Sequence, residues 1–133
     1  MNIALICIAL LGFLVLGLGL NVVVFRGKTN TITGTINEPD NPLNKAIRAH
    51  GNTTEYAPIL AVLIYVLGSL NPEFWVQCTM VLVTVSRYLL AAGLVFPATM
   101  AKPNPMRFIG ALGTFVFGLA LCVALVLKIM ALG

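Results

Sequence analysis

The sequence predicts an all-α membrane protein: a bundle of four transmembrane helices that run alternately up and down. Hydrophobic residues make up 59% of the 133 residues and charged residues only 9%, whereas soluble domains carry about a quarter charged residues. The mean hydropathy is +1.01. The apolar residues also fall into four long runs, each long enough to cross the roughly 30 Å hydrocarbon core of a bilayer. We therefore expect a single membrane domain over residues 1–133, with no separate soluble domain.

The four predicted spans cover approximately residues 3–25, 44–70, 74–96 and 106–132. The first span has no charged residue. A cleaved signal peptide is the alternative for it, but no basic residue precedes the apolar run and the run is longer than a usual signal sequence. Three glycines in this span predict close packing against a neighbouring helix; they are Gly12, Gly17 and Gly19.

Basic residues predict how the chain is oriented in the membrane. They flank the first and third connections, as in Arg26, Lys45 and Lys102, and the second connection has none. By the positive-inside rule, these two connections face the cytoplasm and both termini face the other side. The long first connection, residues 26–45, is either a cover for a site or a solvated linker.

Charge and cysteine content exclude two classes of function. The net charge is +4, but the basic residues are scattered along the chain, so no nucleic-acid partner is expected. Cys7, Cys78 and Cys122 each lie inside an apolar run, are odd in number and lack the spacing of metal ligands. We expect three buried, inert thiols and no metal site.

A polar stripe opens the second span. Arg48, Asn52 and Glu55 occupy positions i, i+4 and i+7, within about 60° of one another on a helix. Ionisable residues inside a membrane are costly and usually functional. The structural alternative is that the arginines reach toward phospholipid headgroups while Glu55 pairs with one of them.

Further polar side chains are predicted at the same end of the bundle: Arg26, His50, Tyr56, Arg87, Tyr88 and Arg107. Several arginines around a single acid leave an excess of positive charge, which favours an anionic ligand whose carboxylates the arginines bind. Glu55 would accept from an ammonium group of that ligand. His50 lies about 200° from Arg48 around the helix, so it reaches the same ligand only if the pocket lies between protomers or wraps the helix.

The segment from Arg48 to Pro58, RAHGNTTEYAP, resembles the signature of the MAPEG family, the membrane-associated proteins of eicosanoid and glutathione metabolism. The four-span layout extends the resemblance over nearly the whole chain. The proline-containing loop before Arg107 is similar to that of the microsomal glutathione transferases. The His-Gly-Asn form resembles bacterial members, which implies a bacterial inner membrane.

The resemblance implies a homotrimer that binds glutathione between neighbouring subunits, near the cytoplasmic side. Carried over by position, the resemblance implies that glutathione is bound by Arg26, Arg48, Asn52, Glu55, Tyr56 and Tyr88, and that Arg107 lies near the thiol as the catalytic residue. His50 and Arg87 are further candidates for glutathione binding, because they lie at the same end of the predicted bundle. His50 replaces the glutamine of the leukotriene-forming members, and Ala92 falls where they have a second tyrosine. Both departures argue against leukotriene synthesis.

The expected function is conjugation of the glutathione thiolate to apolar electrophiles that arrive from the lipid, with peroxidase activity toward lipid peroxides left open. Arg107 would stabilise the thiolate, which is the nucleophilic form of a thiol. A non-catalytic lipid-binding protein on the same scaffold is the alternative. A channel or transporter subunit is disfavoured, since the sequence has neither a ring of charges nor paired discontinuous helices.

Overall fold

The computed structural model describes residues 2–132 and consists of four helices: α1 (Asn2–Thr29), α2 (Pro42–Ser69), α3 (Phe74–Val95) and α4 (Pro105–Leu132). These helices match the four predicted runs. α1 continues about one turn beyond the predicted end at residue 25. Arg26 and Lys28 lie in its last turn, where positive charge interacts favourably with the helix dipole.

The start of α2 is determined by local sequence. Asn41 is the N-cap residue, and its side-chain oxygen accepts hydrogen bonds from the backbone nitrogens of Leu43 (2.9 Å) and Asn44 (3.4 Å). Pro42 follows at the first helical position, where a missing N–H costs nothing because that group has no intrahelical partner. This cap fixes the residue at which α2 begins.

α1, α3 and α4 are long and apolar enough to cross a membrane, and the protein is an integral membrane protein. α2 is as long as α1, at 28 residues, but it does not reach the same apolarity. Its first half carries Arg48, Asn52 and Glu55, which lower its hydropathy. The prediction of four apolar spans is therefore confirmed for α1, α3 and α4, whereas the first half of α2 is polar.

The helices alternate in direction around a main apolar core, and a second, smaller apolar cluster joins α1, α2 and α3. α1 packs on α2 and α3, whereas α4 packs on α3 and α2, and α1 does not touch α4 within the described residues. The most deeply buried core residues come from all four helices and include Leu11, Ile64, Met80 and Leu121. Small apolar bundles of this kind leave their outer helix faces for lipid or for other copies.

The two long connections meet at one end of the bundle. The backbone nitrogen of Met100 donates to the carbonyl oxygen of Pro39 (3.0 Å). The ammonium group of Lys45, in the first turn of α2, donates to the carbonyl oxygen of Pro97 (2.9 Å). These bonds hold residues 30–41 and 96–104 side by side, at the end where most polar residues were predicted to gather.

Glycines allow a close contact between helices, but the helices are α3 and α4 and not α1 and a neighbour, as the sequence predicted. A methyl group at Gly93 would lie 2.5 Å from the backbone nitrogen of Arg107. Of the four glycines in α1, Gly12, Gly17 and Gly27 face open space within the subunit, and only Gly19 meets another helix, at His50. The predicted close packing of α1 is therefore limited to one position inside the subunit.

The three cysteines differ in exposure. Cys7 is buried, Cys78 is half-buried and Cys122 is exposed. The prediction of three buried thiols is therefore confirmed only for Cys7, and it is wrong for Cys122, which lies on the outer face of α4.

Candidate ligand-binding cavity

A cavity of about 410 Å³ opens between α2 and α4, with α3 contributing its inner wall. It is lined by Ile47, Arg48, Gly51, Asn52, Glu55, Leu90, Leu94, Arg107 and Ala111. Its volume lies within the roughly 300–1,000 Å³ range of pockets that bind small molecules. Four of the nine predicted site residues meet here, namely Arg48, Asn52, Glu55 and Arg107.

The polar stripe of α2 faces this cavity. Arg48, Asn52 and Glu55 are spaced so that one helix face presents all three side chains, and each of them lines the cavity. The stripe therefore shares one open cavity with Arg107, and Arg48 and Glu55 are exposed on the single subunit.

Arg107 is held in place by the connection that precedes it. Asn104 caps the start of α4, since its side-chain oxygen accepts from the backbone nitrogen of Arg107 (3.2 Å). The guanidinium donates from Nη1 to the carbonyl oxygen of Met100 (3.0 Å) and from Nη2 to that of Lys102 (3.2 Å). Guanidinium has five N–H groups, so donors remain for an anion in the cavity.

Two more cavities adjoin Arg107. One, also of about 410 Å³, shares Arg48 and Arg107 with the first and is bounded by Asn37 and Pro39 of the first connection. Part of that connection therefore lies beside the site region, and its role as a cover stays a prediction. The other, of about 680 Å³, is largely apolar and lined by Pro103, Asn104, Pro105, Arg107, Phe108 and Ala111.

Arg87 and Tyr56 lie behind the cavity wall. The side chain of Arg87 is 1% exposed, and its Nη2 donates to the side-chain oxygen of Asn52 (2.8 Å). Its guanidinium carbon lies 5.3 Å from the centre of the Tyr56 ring, and that ring packs edge-on against Phe115. Neither Arg87 nor Tyr56 lines the cavity, so within one subunit they support the residues that do.

Three predicted site residues lie on the α1 side of the subunit. Arg26 donates to the carbonyl oxygens of Thr31 (3.2 Å) and Ile32 (3.3 Å) and so organises the end of α1. His50 packs against Gly19. The hydroxyl of Tyr88 donates to a carbonyl oxygen of α1, at residue 10 (2.9 Å). Within one subunit these three side chains do not join the cavity.

The α3 residues that do line the cavity are Leu90 and Leu94, which the sequence reasoning missed. Tyr88 and Ala92 instead line a separate apolar cavity of about 210 Å³. A signal was present in the sequence: residues 87, 90 and 94 share one helix face with i, i+3, i+7 spacing, so the face that holds Arg87 also holds both leucines.

The MAPEG family model matches residues 4–127 of the chain, and this range includes most of every helix and every residue of the cavity. The chain belongs to the MAPEG family. No curated protein sequence and no solved structure matches it significantly. Membership of the MAPEG family indicates a membrane glutathione transferase or a related function in lipid metabolism.

Proposed function

We propose that this MAPEG protein is a membrane-bound glutathione transferase that conjugates glutathione to apolar electrophiles. The observation that carries the proposal is the convergence of Arg48, Arg107, Asn52 and Glu55 on one cavity. Two cations, one amide and one carboxylate in a single cavity form a site for a small, zwitterionic ligand with a net negative charge.

Glutathione has the complementary groups: two carboxylates, one ammonium group and several peptide oxygens and nitrogens. Arginine binds carboxylates through paired, charge-assisted hydrogen bonds, and both arginines of the cavity can serve in this way. Glu55 is the only acidic side chain among the lining residues, and it accepts from the ammonium group. We assign Arg48, Asn52 and Glu55 to binding of the tripeptide.

Arg107 is assigned to the thiol. A cysteine thiol of ordinary pKa, about 8.5, is mostly protonated at neutral pH, and the thiolate is the nucleophile. A decrease of about two pKa units requires about 3 kcal/mol, and hydrogen bonds to charged groups contribute about 1.5–3 kcal/mol each. One or two hydrogen bonds from Arg107 to the sulfur suffice to form the thiolate.

The reaction is a displacement at an electrophilic carbon. The thiol proton passes to water, the sulfur forms a bond to the carbon, and the leaving group departs with the electrons of the broken bond. The apolar cavity beside Arg107, lined in part by Pro105 and Phe108, is the side from which an apolar electrophile reaches the sulfur. Phe108 is 69% exposed, so this side communicates with lipid.

The full site is proposed to form between subunits of a homotrimer. Arg26, His50 and Tyr88 lie on the α1 side, away from the cavity, so a neighbouring copy must present its α1 side to the cavity for these groups to meet glutathione. α1 and α4 carry large apolar side chains on their outer faces, among them Phe13 and Leu119, which such contacts cover. We also propose that the cavity end faces the cytoplasm of a bacterial cell and that the role of the protein is detoxification.

The test is turnover of an aryl chloride, 1-chloro-2,4-dinitrobenzene, by the purified protein in detergent with glutathione. We expect conjugation by the wild type, a loss of at least about tenfold in kcat for Arg107→Ala, and reduced thiolate absorbance of the glutathione complex. Calorimetric binding of glutathione without turnover would assign the protein to non-catalytic ligand binding. Absence of both binding and turnover would overturn the proposal.

A further inference from the structure

Arg87 is a fully buried cation that reaches from α3 to the first half of α2. Its Nη2 donates to the carbonyl oxygen of Asn52 (3.0 Å), to the side-chain oxygen of Asn52 (2.8 Å) and to the hydroxyl of Thr53 (3.3 Å). Its Nη1 donates to the hydroxyl of Thr114 in α4 (3.5 Å). A buried charge is costly unless it is well hydrogen-bonded. Two of the four acceptors of Arg87 belong to one residue, Asn52.

These contacts fix the orientation of the Asn52 amide. The oxygen and nitrogen of an asparagine side chain are usually assigned from their hydrogen-bond partners, and arginine has donors only. The oxygen of Asn52 must therefore face Arg87. The NH₂ group lies on the opposite branch of the amide, and Asn52 lines the cavity, so the cavity is where that group can donate.

We propose that Arg87 is a positioning residue that holds Asn52 with its NH₂ group toward the cavity, so that Asn52 recognises a carboxylate or carbonyl oxygen of the ligand. The inference rests on the proposed function for the identity of that ligand, glutathione. It reassigns Arg87 from ligand contact, as the sequence predicted, to a role exerted through Asn52.

This orientation of the Asn52 amide determines which hydrogen-bond donors and acceptors the cavity offers to a ligand. The side chains of Arg48, Arg107 and Asn52 then all donate, and Glu55 is the only lining side chain that accepts from a ligand. A ligand that fits must carry oxygen acceptors at several points and a donor group at one. With the amide reversed, Asn52 would present an acceptor and favour a second donor on the ligand.

Arginine suits this role better than lysine. The planar guanidinium stacks near the Tyr56 ring, at 5.3 Å, and its two terminal nitrogens reach α2 and α4 at once. A lysine ammonium is a compact charge without a planar fork. The Nε atom of Arg87 is buried without a partner among the described residues, which indicates that the terminal nitrogens determine its position.

The experiment uses Asn52→Asp as the decisive variant. It keeps an oxygen toward Arg87 but replaces the NH₂ donor with a second oxygen. We expect the glutathione Kd, measured by calorimetry on the detergent-solubilised protein, to rise at least about tenfold, while the Tm without ligand rises. A Kd equal to that of the wild type would overturn the inference.

A pair of variants tests the coupling of Arg87 to Asn52. Asn52→Ala and Arg87→Gln are each expected to raise the Kd at least about tenfold, and the double variant no further than the larger single effect. If the double variant raises the Kd by the product of the two single effects, the inference is overturned, because Arg87 then acts independently of Asn52. Thr79→Val is the matched control in α3, since Thr79 is buried and its hydroxyl bonds only to the Trp75 carbonyl in the described structure. The glutathione Kd of this variant is expected to equal that of the wild type.

A readout without ligand separates this inference from the proposed function. If the wild type does not bind glutathione, the proposed function fails, and the amide orientation is then tested by Tm alone. Asn52→Asp is expected to stabilise the protein when Arg87 is present and to destabilise it in the Arg87→Gln background. If Asn52→Asp changes the Tm equally with Arg87 and with Arg87→Gln, the inference is overturned even without glutathione binding. It is also overturned if Arg87→Lys has the Kd or the Tm of the wild type.

Discussion

Gly110 of α4 lies so close to Leu90 of α3 that a methyl group on Gly110 would collide with the Leu90 backbone. Leu90 lines the cavity, and Gly110 is one turn beyond Arg107. The close approach at this glycine therefore determines how far Arg107 lies from the cavity wall that α3 forms. A small residue that does not itself line the cavity thus contributes to the geometry of the site.

Gly110→Ala is expected to destabilise the protein. Overpacking of a close contact costs about 1–3 kcal/mol, which exceeds the gain in helix propensity of up to about 1 kcal/mol. The Tm in detergent should fall by several degrees, and glutathione binding should weaken as Arg107 shifts. Gly12→Ala is the control, since Gly12 has open space within the subunit; equal Tm values for the two variants would contradict the prediction.

Arg48→Ala is expected to weaken glutathione binding about 10- to 100-fold, because it removes charge-assisted hydrogen bonds worth about 1.5–3 kcal/mol. Arg48→Lys should recover part of the loss, since lysine keeps the charge without the planar fork. Calorimetric Kd values measure both. Lys28→Ala removes an exposed charge at the same end of the bundle, outside the cavity, and a comparable loss there would mean that Arg48 acts only through general charge.

Glu55→Gln is expected to abolish discrimination between glutathione and its N-acetylated form, which lacks the ammonium group. The wild type should bind glutathione more tightly than the acetylated form, because Glu55 accepts from the ammonium. The variant should bind both with similar Kd values. Glu73→Gln, at the opposite end of the bundle, should discriminate as the wild type does, and unchanged discrimination by Glu55→Gln would remove Glu55 from the ammonium site.

Asn41→Ala is expected to lower the free energy of unfolding by about 1 kcal/mol, since the N-cap hydrogen bonds from Leu43 and Asn44 are lost. Thermal unfolding in detergent measures this as a decrease in Tm. Thr33→Ala, at an exposed position of the same connection, serves as the control. If both variants unfold at the same temperature, the cap does not stabilise α2.

Local patterns in the sequence were sufficient for the helices and for four of the nine residues that line the cavity. Long apolar runs imply membrane helices, because a bilayer requires every backbone polar group to be bonded internally. The spacing of Arg48, Asn52 and Glu55 places them on one face, because helical periodicity is a local property. The position of Arg107 at the same end of the bundle and membership of the MAPEG family were also predicted.

The sequence by itself therefore determined that this is a helical membrane protein with a polar stripe on its second helix. Only the tertiary structure decided which α3 face meets that stripe, and so placed Leu90 and Leu94 in the cavity, Arg87 behind Asn52, and Tyr88 against α1. The physical reason is that the rotation of one helix against another depends on the packing of both surfaces, here on the contact of Gly93 and Gly110 with α4 and α3. No pattern within a single helix contains that information.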